Sequence, residues 1–270
     1  MVKLLVLDLD GTLYNSATEL TEANRRALLA AQEKGVRVAL ASGRAYFGLK
    51  GLCAELDMPQ HGGFVIGNNG QDLYDFQQGT LTKGAKVCRE ACLQMMEVAK
   101  RRGLEVFAHN NEVGAFYAPP GVRRLHPDRG NKRYDEKTGF FEGEDGDLDK
   151  IGIYMMGEDE AESYEILREL RELIEPKAQC VMVNLVCIEL VPPGMDKVNG
   201  IDLIVERYGL AREEVLVMGD GQNDLGMARK YPFVAMGNAL AEVKAAAIRE
   251  TLTNDADGVA YEIRRTILTE

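Results

Sequence analysis

The segment Asp8-Leu9-Asp10-Gly11-Thr12-Leu13 follows directly on the apolar run Leu4–Leu7. Three further segments share this design: Ser42-Gly43-Arg44 after residues 36–41, Lys197 after Pro192-Pro193-Gly194-Met195-Asp196, and Gly219-Asp220-Gly221-Gln222-Asn223-Asp224 after residues 215–218. Each sets acids, a hydroxyl or a cation just past a buried apolar stretch. Asp8 and Asp10 are alternate residues, so extended backbone beyond a strand can turn both toward one site. Gly11 lets the chain bend there. Brought together, Asp8, Asp10, Asp220 and Asp224 face Ser42, Lys197 and Asn223. Carboxylates gathered at one place must be protonated or hold a cation. Oxygen-only ligands select a hard ion, and few protein ligands beside a phosphate favour Mg²⁺. The lysine, serine and asparagine supply donors for a phosphoryl group.

These segments need elements that bring them to one edge. Leu4–Leu7, residues 36–41, Phe64–Gly67, residues 215–218 and residues 233–236 read as buried strands. Between them lie helical stretches: one capped by Thr21 and running to about Lys34, then 46–56, 197–208, 222–230 and 240–247, with a last helix over 258–268. Alternation of strand and helix predicts parallel βαβ units, and ligands of such sheets bind beyond the carboxyl ends of the strands.

The middle of the chain has a different texture. A long helix is expected over 84–103, strands over 104–109, 113–117, 151–155, 181–184 and 187–191, and a helix over 159–174. Strands around two helices predict an α+β domain inserted into the α/β domain. Residues 119–149 are the least periodic. Arg123, Arg124, Arg129, Lys132 and Arg133 come first, and seven acids from Asp135 to Asp149 follow. A long loop with self-paired charges is one reading; a loop whose arginines select an anionic substrate is the other.

The 270 residues carry 43 acids against 32 Lys and Arg, a net charge of −11. That balance argues against nucleic acid and anionic membrane as partners. No stretch approaches the roughly 18 apolar residues of a membrane span. Cys53, Cys88, Cys92, Cys180 and Cys187 form no CxxC pair and read as reduced thiols of a cytoplasmic protein rather than a zinc site. A dinucleotide reading of Gly219-Asp220-Gly221 fails, because Asp224 stands where the third glycine belongs and Asp220 repels pyrophosphate. His61 reads as a loop residue, and His126 lies in the basic stretch.

In order, the four segments resemble the motifs of the haloacid dehalogenase-like superfamily: the DxDGTL at 8–13, the serine at 42, the lysine at 197 and the GDGxND at 219–224. Met236-Gly237-Asn238-Ala239, residues 254–260, the Gly-Arg after Ser42 and the Asn-Asn-Gly at 68–70 are similar to the Cof-type (class IIB) branch, which carries a large cap between its second and third motifs. The resemblance implies a Rossmann-like parallel-sheet core of residues 1–83 and 192–270, with an inserted α+β cap of 84–191 that reads the substrate across a cleft. It implies a Mg²⁺-dependent phosphatase acting on small phosphorylated metabolites, such as sugar phosphates, through an aspartyl-phosphate.

Under that resemblance, Asp8 is the nucleophile. Asp10 protonates the leaving oxygen and then activates water. The metal sits on the Asp8 carboxylate, the Asp10 carbonyl and Asp220, while Asp224 holds metal-bound water or orients the site. The Leu9 and Gly43 amides, Ser42, Lys197 and Asn223 hold phosphoryl oxygens. Arg44 either contacts substrate or pairs with a neighbouring acid. Asn68 and Asn69 make a turn, and Asn69 is a further candidate contact. Asp10 points to a phosphatase or a phosphomutase. A sugar-phosphate-binding regulator without turnover would be marked by loss of Asp8 or Asp10, and both are present. The sequence leaves a monomer and a homodimer equally open.

Overall fold

The computed structural model describes residues 1–110, 113–118, 132–135, 139–155, 159–183 and 185–269. The chain divides into two compact units, Met1–Gly84 with Asp196–Glu270, and Ala85–Met195. Gly84 thus groups with the first unit and residues 192–195 with the second.

In chain order, the first unit opens with β1 (Leu4–Leu7), α1 (Glu22–Glu33), β2 (Arg37–Ala41), α2 (Lys50–Glu55), α3 (Met58–His61), β3 (Phe64–Gly67), β4 (Asp72–Asp75) and β5 (Thr80–Lys83). The second unit holds α4 (Arg89–Arg102), β6 (Glu105–Asn110), β7 (Val113–Tyr117), β8 (Lys132–Asp135), β9 (Phe140–Phe141), β10 (Lys150–Tyr154), α5 (Glu160–Ile174), β11 (Gln179–Val183) and β12 (Cys187–Val191). The first unit then resumes with α6 (Lys197–Tyr208), β13 (Val215–Gly219), α7 (Leu225–Lys230), β14 (Phe233–Ala235), α8 (Ala241–Ala246), β15 (Arg249–Glu250) and α9 (Gly258–Thr266).

The first unit is an α/β fold with a Rossmann-like core. Its eight strands run in the order β15-β14-β13-β1-β2-β3-β4-β5. The six from β15 to β3 are parallel, and β4 and β5 add an antiparallel hairpin at one edge. β1 is central, with all four residues buried, as a strand covered on both faces must be. The chain leaves β1 toward β2 and returns from the second unit on the other side, through β13. The carboxyl ends of β1 and β13 therefore meet where the strand order reverses, the place where such sheets bind ligands.

The second unit is an inserted sheet in the order β11-β12-β10-β6-β7-β8-β9, antiparallel except for the β7–β8 pair. Ile151 and Ile153 of β10, Val106 of β6 and Ile188 of β12 form its core with Met95, Met96, Ile166 and Leu170 of α4 and α5. The paired methionines thus pack the interior.

Several boundaries differ from the expected ones. The helix expected over 84–103 begins only at Arg89, because Gly84 bonds to Gln71 and Val87 bridges to Leu148. The stretches 46–56 and 222–230 each open with a 3₁₀ turn before the α-helix. The β4–β5 hairpin, the short β15 and the strands β8 and β9 are additional to the elements expected from periodicity. Residues 119–131, with His126 and three of the arginines, lie outside the described residues. Three of the following acids bond to other segments: Glu144 to Asn110, Asp147 to the Arg89 amide at the start of α4, and Asp149 to Lys86. Among the described residues, no helix is long and apolar enough to cross a membrane.

Candidate active site

The site is built on the ends of β1 and β13. Asp8 is the first residue past β1, and its amide donates to the Met218 carbonyl of β13 at 3.0 Å. This bond ties the two strand ends together where their acids begin. Past Asp8 the chain turns back at once, with the Thr12 and Tyr14 amides donating to the Leu9 carbonyl at 3.1 and 2.9 Å. Gly11 makes that turn with φ +90°, and a side chain there would collide with the Asp220 carboxylate. Both its backbone freedom and its missing Cβ are used.

Lys197 enters from the first turn of α6. Asp196 caps this helix: its carboxylate accepts from the Val198 amide at 3.1 Å, and the Asn199 side chain reaches back to the Asp196 amide at 2.6 Å. Such reciprocal caps fix a helix start. One turn on, Gly200 lies flat on Ile66 of β3, so close that any Cβ would overlap it. Capping and packing together aim Lys197 inward, where its side chain is 1% exposed.

The Lys197 ammonium bridges two carboxylates, with Nζ 2.6 Å from Asp8 Oδ1 and 2.7 Å from Asp224 Oδ1. The second oxygen of Asp224 accepts from the backbone amides of Asp220 and Gly221 at 2.9 and 3.0 Å. Both oxygens of this fully buried acid are therefore committed within the protein. The 3₁₀ turn at Gln222–Asp224 is the geometry that lets its carboxylate fold back onto those amides, and Asn223 sits half-buried on the same turn. Asp220 Oδ1 accepts from Thr12 Oγ1 at 2.8 Å.

Ser42 lies just past β2, buried, with its Oγ accepting from the Arg44 amide at 3.1 Å. Arg44 forks onto Asp10, Nη2 to Oδ1 at 2.6 Å and Nε to Oδ2 at 3.2 Å. Of the two roles open to Arg44, this structure shows the pairing with an acid. Asp10 thus stands apart from the cluster of Asp8, Asp220 and Asp224. Asn69 is buried in a turn beside Ser42, its amide donating to the Ser42 carbonyl at 3.0 Å.

Four further residues, to which the sequence gives no role, support the site: Thr12, Asn238, Asn254 and Asp255. Thr12 orients Asp220. Asn238 donates to the Gly11 carbonyl at 2.8 Å and accepts from the Asn254 amide at 3.0 Å, and Asn254 donates to the Tyr14 carbonyl at 3.0 Å. Asp255 holds both the amide and the hydroxyl of Ser16. The segments at 236–239 and 254–260, singled out above by resemblance alone, tie down the loop that follows Asp10.

Burial raises the Asp8 carboxyl well above its usual range; Lys197 opposes this, and the charges of Asp224 and Asp220 add to it. Burial, and after it the Asp224 charge, lift Asp220 to about 6 against the pull of Thr12 and Lys197. Burial draws the Lys197 ammonium down, but Asp224 and Asp8 outweigh it and hold the group charged above the ordinary lysine range.

The carboxylates of Asp8, Asp220 and Asp224 each offer an oxygen within 4.8 Å of the others. Close-set oxygen donors and two carboxyls with raised affinity for protons fit a hard divalent cation in both charge and chemistry. Asp8 and Asp220 suit direct ligation. Asp224, occupied on both oxygens, suits an orienting part.

The chain is 30% identical over 277 residues to a chloroplastic endoribonuclease YBEY of Arabidopsis thaliana, covering 96% of this chain. It spans only 45% of that protein's length. It is 29% identical to the 5-amino-6-(5-phospho-D-ribitylamino)uracil phosphatase YcsE of Bacillus subtilis, over 99% of this chain and 96% of the relative. Among solved structures, a haloacid dehalogenase-like hydrolase from Bacteroides thetaiotaomicron superposes with a TM-score of 0.80 at 32% identity, over 98% and 99% of the two chains. These matches bear out the resemblance to the Cof-type branch. The profile of the haloacid dehalogenase-like hydrolases matches residues 5–263, and the chain belongs to that family.

Proposed function

We propose that this protein is a Mg²⁺-dependent phosphatase of small phosphate monoesters, sugar phosphates or similar metabolites, working through an aspartyl-phosphate on Asp8. The observation that carries the reading is the Lys197 ammonium held between Asp8 and Asp224 at 2.6 and 2.7 Å, beside Asp220, at the ends of β1 and β13. One positive group touching the nucleophile, within a cluster that suits a cation, is what attack of a carboxylate on an anionic phosphoryl group requires.

Asp8 supplies the attacking oxygen, and the ester oxygen leaves with a proton from Asp10. Asp10 then takes a proton from the water that attacks phosphorus, and the Asp8–phosphorus bond breaks to release phosphate. Asp10 must part from Arg44 to carry that proton, and Arg44 is then available to the substrate's own negative charge. Lys197, Ser42, Asn223 and the amides of Leu9 and Gly43 hold the phosphoryl oxygens in line. When bound at Asp8, Asp220 and the Asp10 carbonyl, Mg²⁺ would offset the negative charge of carboxylate and phosphate. The inserted unit Ala85–Met195 is assigned the choice of leaving group, and the core of Met1–Gly84 with Asp196–Glu270 the chemistry.

The acidic charge of the whole protein gives nucleic acid and membranes no favourable surface field. Burial raises the thiols of Cys53 and Cys180 to about 12 and lifts those of Cys92 and Cys187 as well, which suits unreactive cysteines in the reducing cytoplasm. The testing experiment is phosphate release across sugar phosphates, nucleotides and other phosphorylated metabolites, with Mg²⁺ and with a chelator. Release that needs Mg²⁺ and is lost in Asp8→Asn supports the reading. Interconversion of isomers without release favours a mutase, and no turnover of any ester overturns the reading.

A further inference from the structure

The run Asn68-Asn69-Gly70 takes three consecutive left-handed backbone conformations, with φ of 50°, 54° and 96°. Asparagine tolerates that region better than most residues, yet each such placement costs on the order of 1 kcal/mol or more and persists only where its surroundings enforce it. Here they do. The Asn68 amide donates to the Arg44 carbonyl at 3.1 Å and the Asn69 amide to the Ser42 carbonyl at 3.0 Å. Asn68 Nδ2 reaches Asp72 Oδ2 at 2.6 Å, and the Gly84 amide donates to the Gln71 carbonyl at 2.5 Å.

The other side of the turn rests on the start of α6. A Cβ on Gly70 would overlap the Asp196 carbonyl and lie 2.9 Å from the Lys197 amide nitrogen. One short turn therefore touches both the backbone that carries Ser42 and the backbone that carries Lys197. It also bears on both places where the chain crosses between units, since Gly84 is the last residue before the inserted unit and Asp196 the first after it. The Asp196 cap and the seat of Gly200 on Ile66 already hold α6 as a helix. What remains open to the contact at Gly70 is a finer quantity, the placement of residues 196–197 against Ser42.

We propose that the left-handed turn at residues 68–70 is a positioning device that sets Lys197 in register with Ser42, with Gly70 as its bearing surface. Its consequence for turnover rests on the reading of Lys197 and Ser42 as phosphate-holding groups; its hold on Lys197 does not. Displacing a catalytic group by about 1 Å can cost roughly 10²-fold in rate.

The test compares Gly70→Ala, Asn68→Gly and Gly35→Ala with the native protein. Gly35 has φ +84° and nothing within 4 Å of an added Cβ, so its alanine variant carries the left-handed penalty without touching anything. Two quantities are read: kcat and KM for phosphate release, and the ¹H–¹⁵N resonance of the buried Lys197 ammonium, assigned by its loss in Lys197→Met. Gly70→Ala is expected to lower kcat at least about tenfold, with KM changed less than about threefold, and to move the Lys197 resonance. Asn68→Gly, whose new residue takes the same φ freely, is expected to broaden that resonance and lower kcat about threefold or more. Gly35→Ala is expected to lower Tm and leave both readouts in place.

A folded Gly70→Ala protein with native kcat and an unmoved Lys197 resonance overturns the proposal. Equal loss of kcat in Gly35→Ala overturns it too, since strain alone would then suffice. If Gly70→Ala does not fold, Asn68→Gly decides, and native readouts there overturn it. If the native protein releases phosphate from no ester, the functional reading falls and the resonance alone judges the turn.

Discussion

Asp224 holds Lys197 through one carboxylate oxygen, at 2.7 Å, and closes its own strand-end loop through the other, at 2.9 and 3.0 Å from two backbone amides. A single buried acid thus sets both a cation and the backbone that presents Asp220. Asp224→Asn keeps the shape but removes the charge, and its amide cannot satisfy an ammonium and two N–H donors at once. Phosphate release is expected to fall on the order of 10²-fold, and in Lys197→Ala by a similar or larger factor. Because the two residues act as one unit, the double variant should lose little more than the worse single one. Full additivity in a double-mutant cycle would show that they act independently.

Asp220 gives the pH dependence its sign. Its carboxyl is raised to about 6, mainly by burial and then by the Asp224 charge. Between its ordinary value and about 6 the folded protein therefore binds more protons than the unfolded chain. In the metal-free protein this group's contribution to stability falls as pH rises through that window. A cation must displace that proton, so Mg²⁺ should raise Tm more at pH 7.5 than at pH 5 and release protons on binding near pH 6. Calorimetry in buffers of differing ionisation heat measures the release. An equal thermal shift at both pH values would argue against these ligands.

The same crowding makes Asp220 a group held at a cost to stability. Asp220→Asn is expected to raise the Tm of the metal-free protein, by relieving Asp8 and Asp224 of a like charge, while abolishing both the Mg²⁺-dependent shift and turnover. A lower Tm in the absence of metal would mean that the bond from Thr12 outweighs the repulsion.

Much of this site was legible because its residues lie at strand ends. A buried apolar run followed at once by acids, by Ser-Gly or by Gly-Asp has few places to go in a parallel sheet, and Leu4–Leu7 and residues 215–218 were placed closely for that reason. The β4–β5 hairpin was hidden because its strands, DLYD and TLTK, are short and carry charges that argue against burial. Yet Asp75 is buried where Arg207 and Tyr208 of α6 meet it, partners remote in sequence. The start of α4 was misplaced because Gly84 and Val87 are claimed by Gln71 and Leu148, contacts that periodicity does not reveal. Arg44 had two equal roles on paper, and only the fold shows its fork on Asp10. Thr12 and Asn238 stand in segments marked by resemblance, but what each one holds, the Asp220 carboxylate and the Gly11 carbonyl, shows only in the fold.

The loop beyond Asp10 makes its own prediction. Asn238→Ala removes the donor to the Gly11 carbonyl and the acceptor of the Asn254 amide. Two hydrogen bonds of this kind are worth about 1 kcal/mol each, so a Tm loss of several degrees is expected. Because Gly11 packs on Asp220, turnover should fall about tenfold, chiefly in kcat, with Mg²⁺ needed at higher concentration. Native Mg²⁺ dependence in the variant would show that the loop holds its place without this tie.

Far from the chemistry, the end of the chain offers a contrast. Glu262 of α9 is fully buried, and Arg249 of β15 reaches its Oε1 at 3.1 and 2.5 Å while Arg265 reaches Oε2 at 2.5 Å. The Thr266 hydroxyl adds a bond to Oε1 at 2.6 Å. One carboxylate thereby clasps the two-residue edge strand β15 to the last helix. Glu262→Ala removes the acceptor of both guanidinium groups and of the Thr266 hydroxyl and leaves a cavity; because the arginines are partly exposed and can turn to water, the expected cost is about 1–3 kcal/mol. Urea unfolding measures that cost. The kcat and Mg²⁺ dependence of the folded fraction should stay native, because Glu262 touches none of the strand ends that carry Asp8 or Asp220. A selective loss of kcat at unchanged stability would mean instead that α9 governs the site through Asp255 and Asp257, which hold Ser16 and Thr21 in the segment after Asp10.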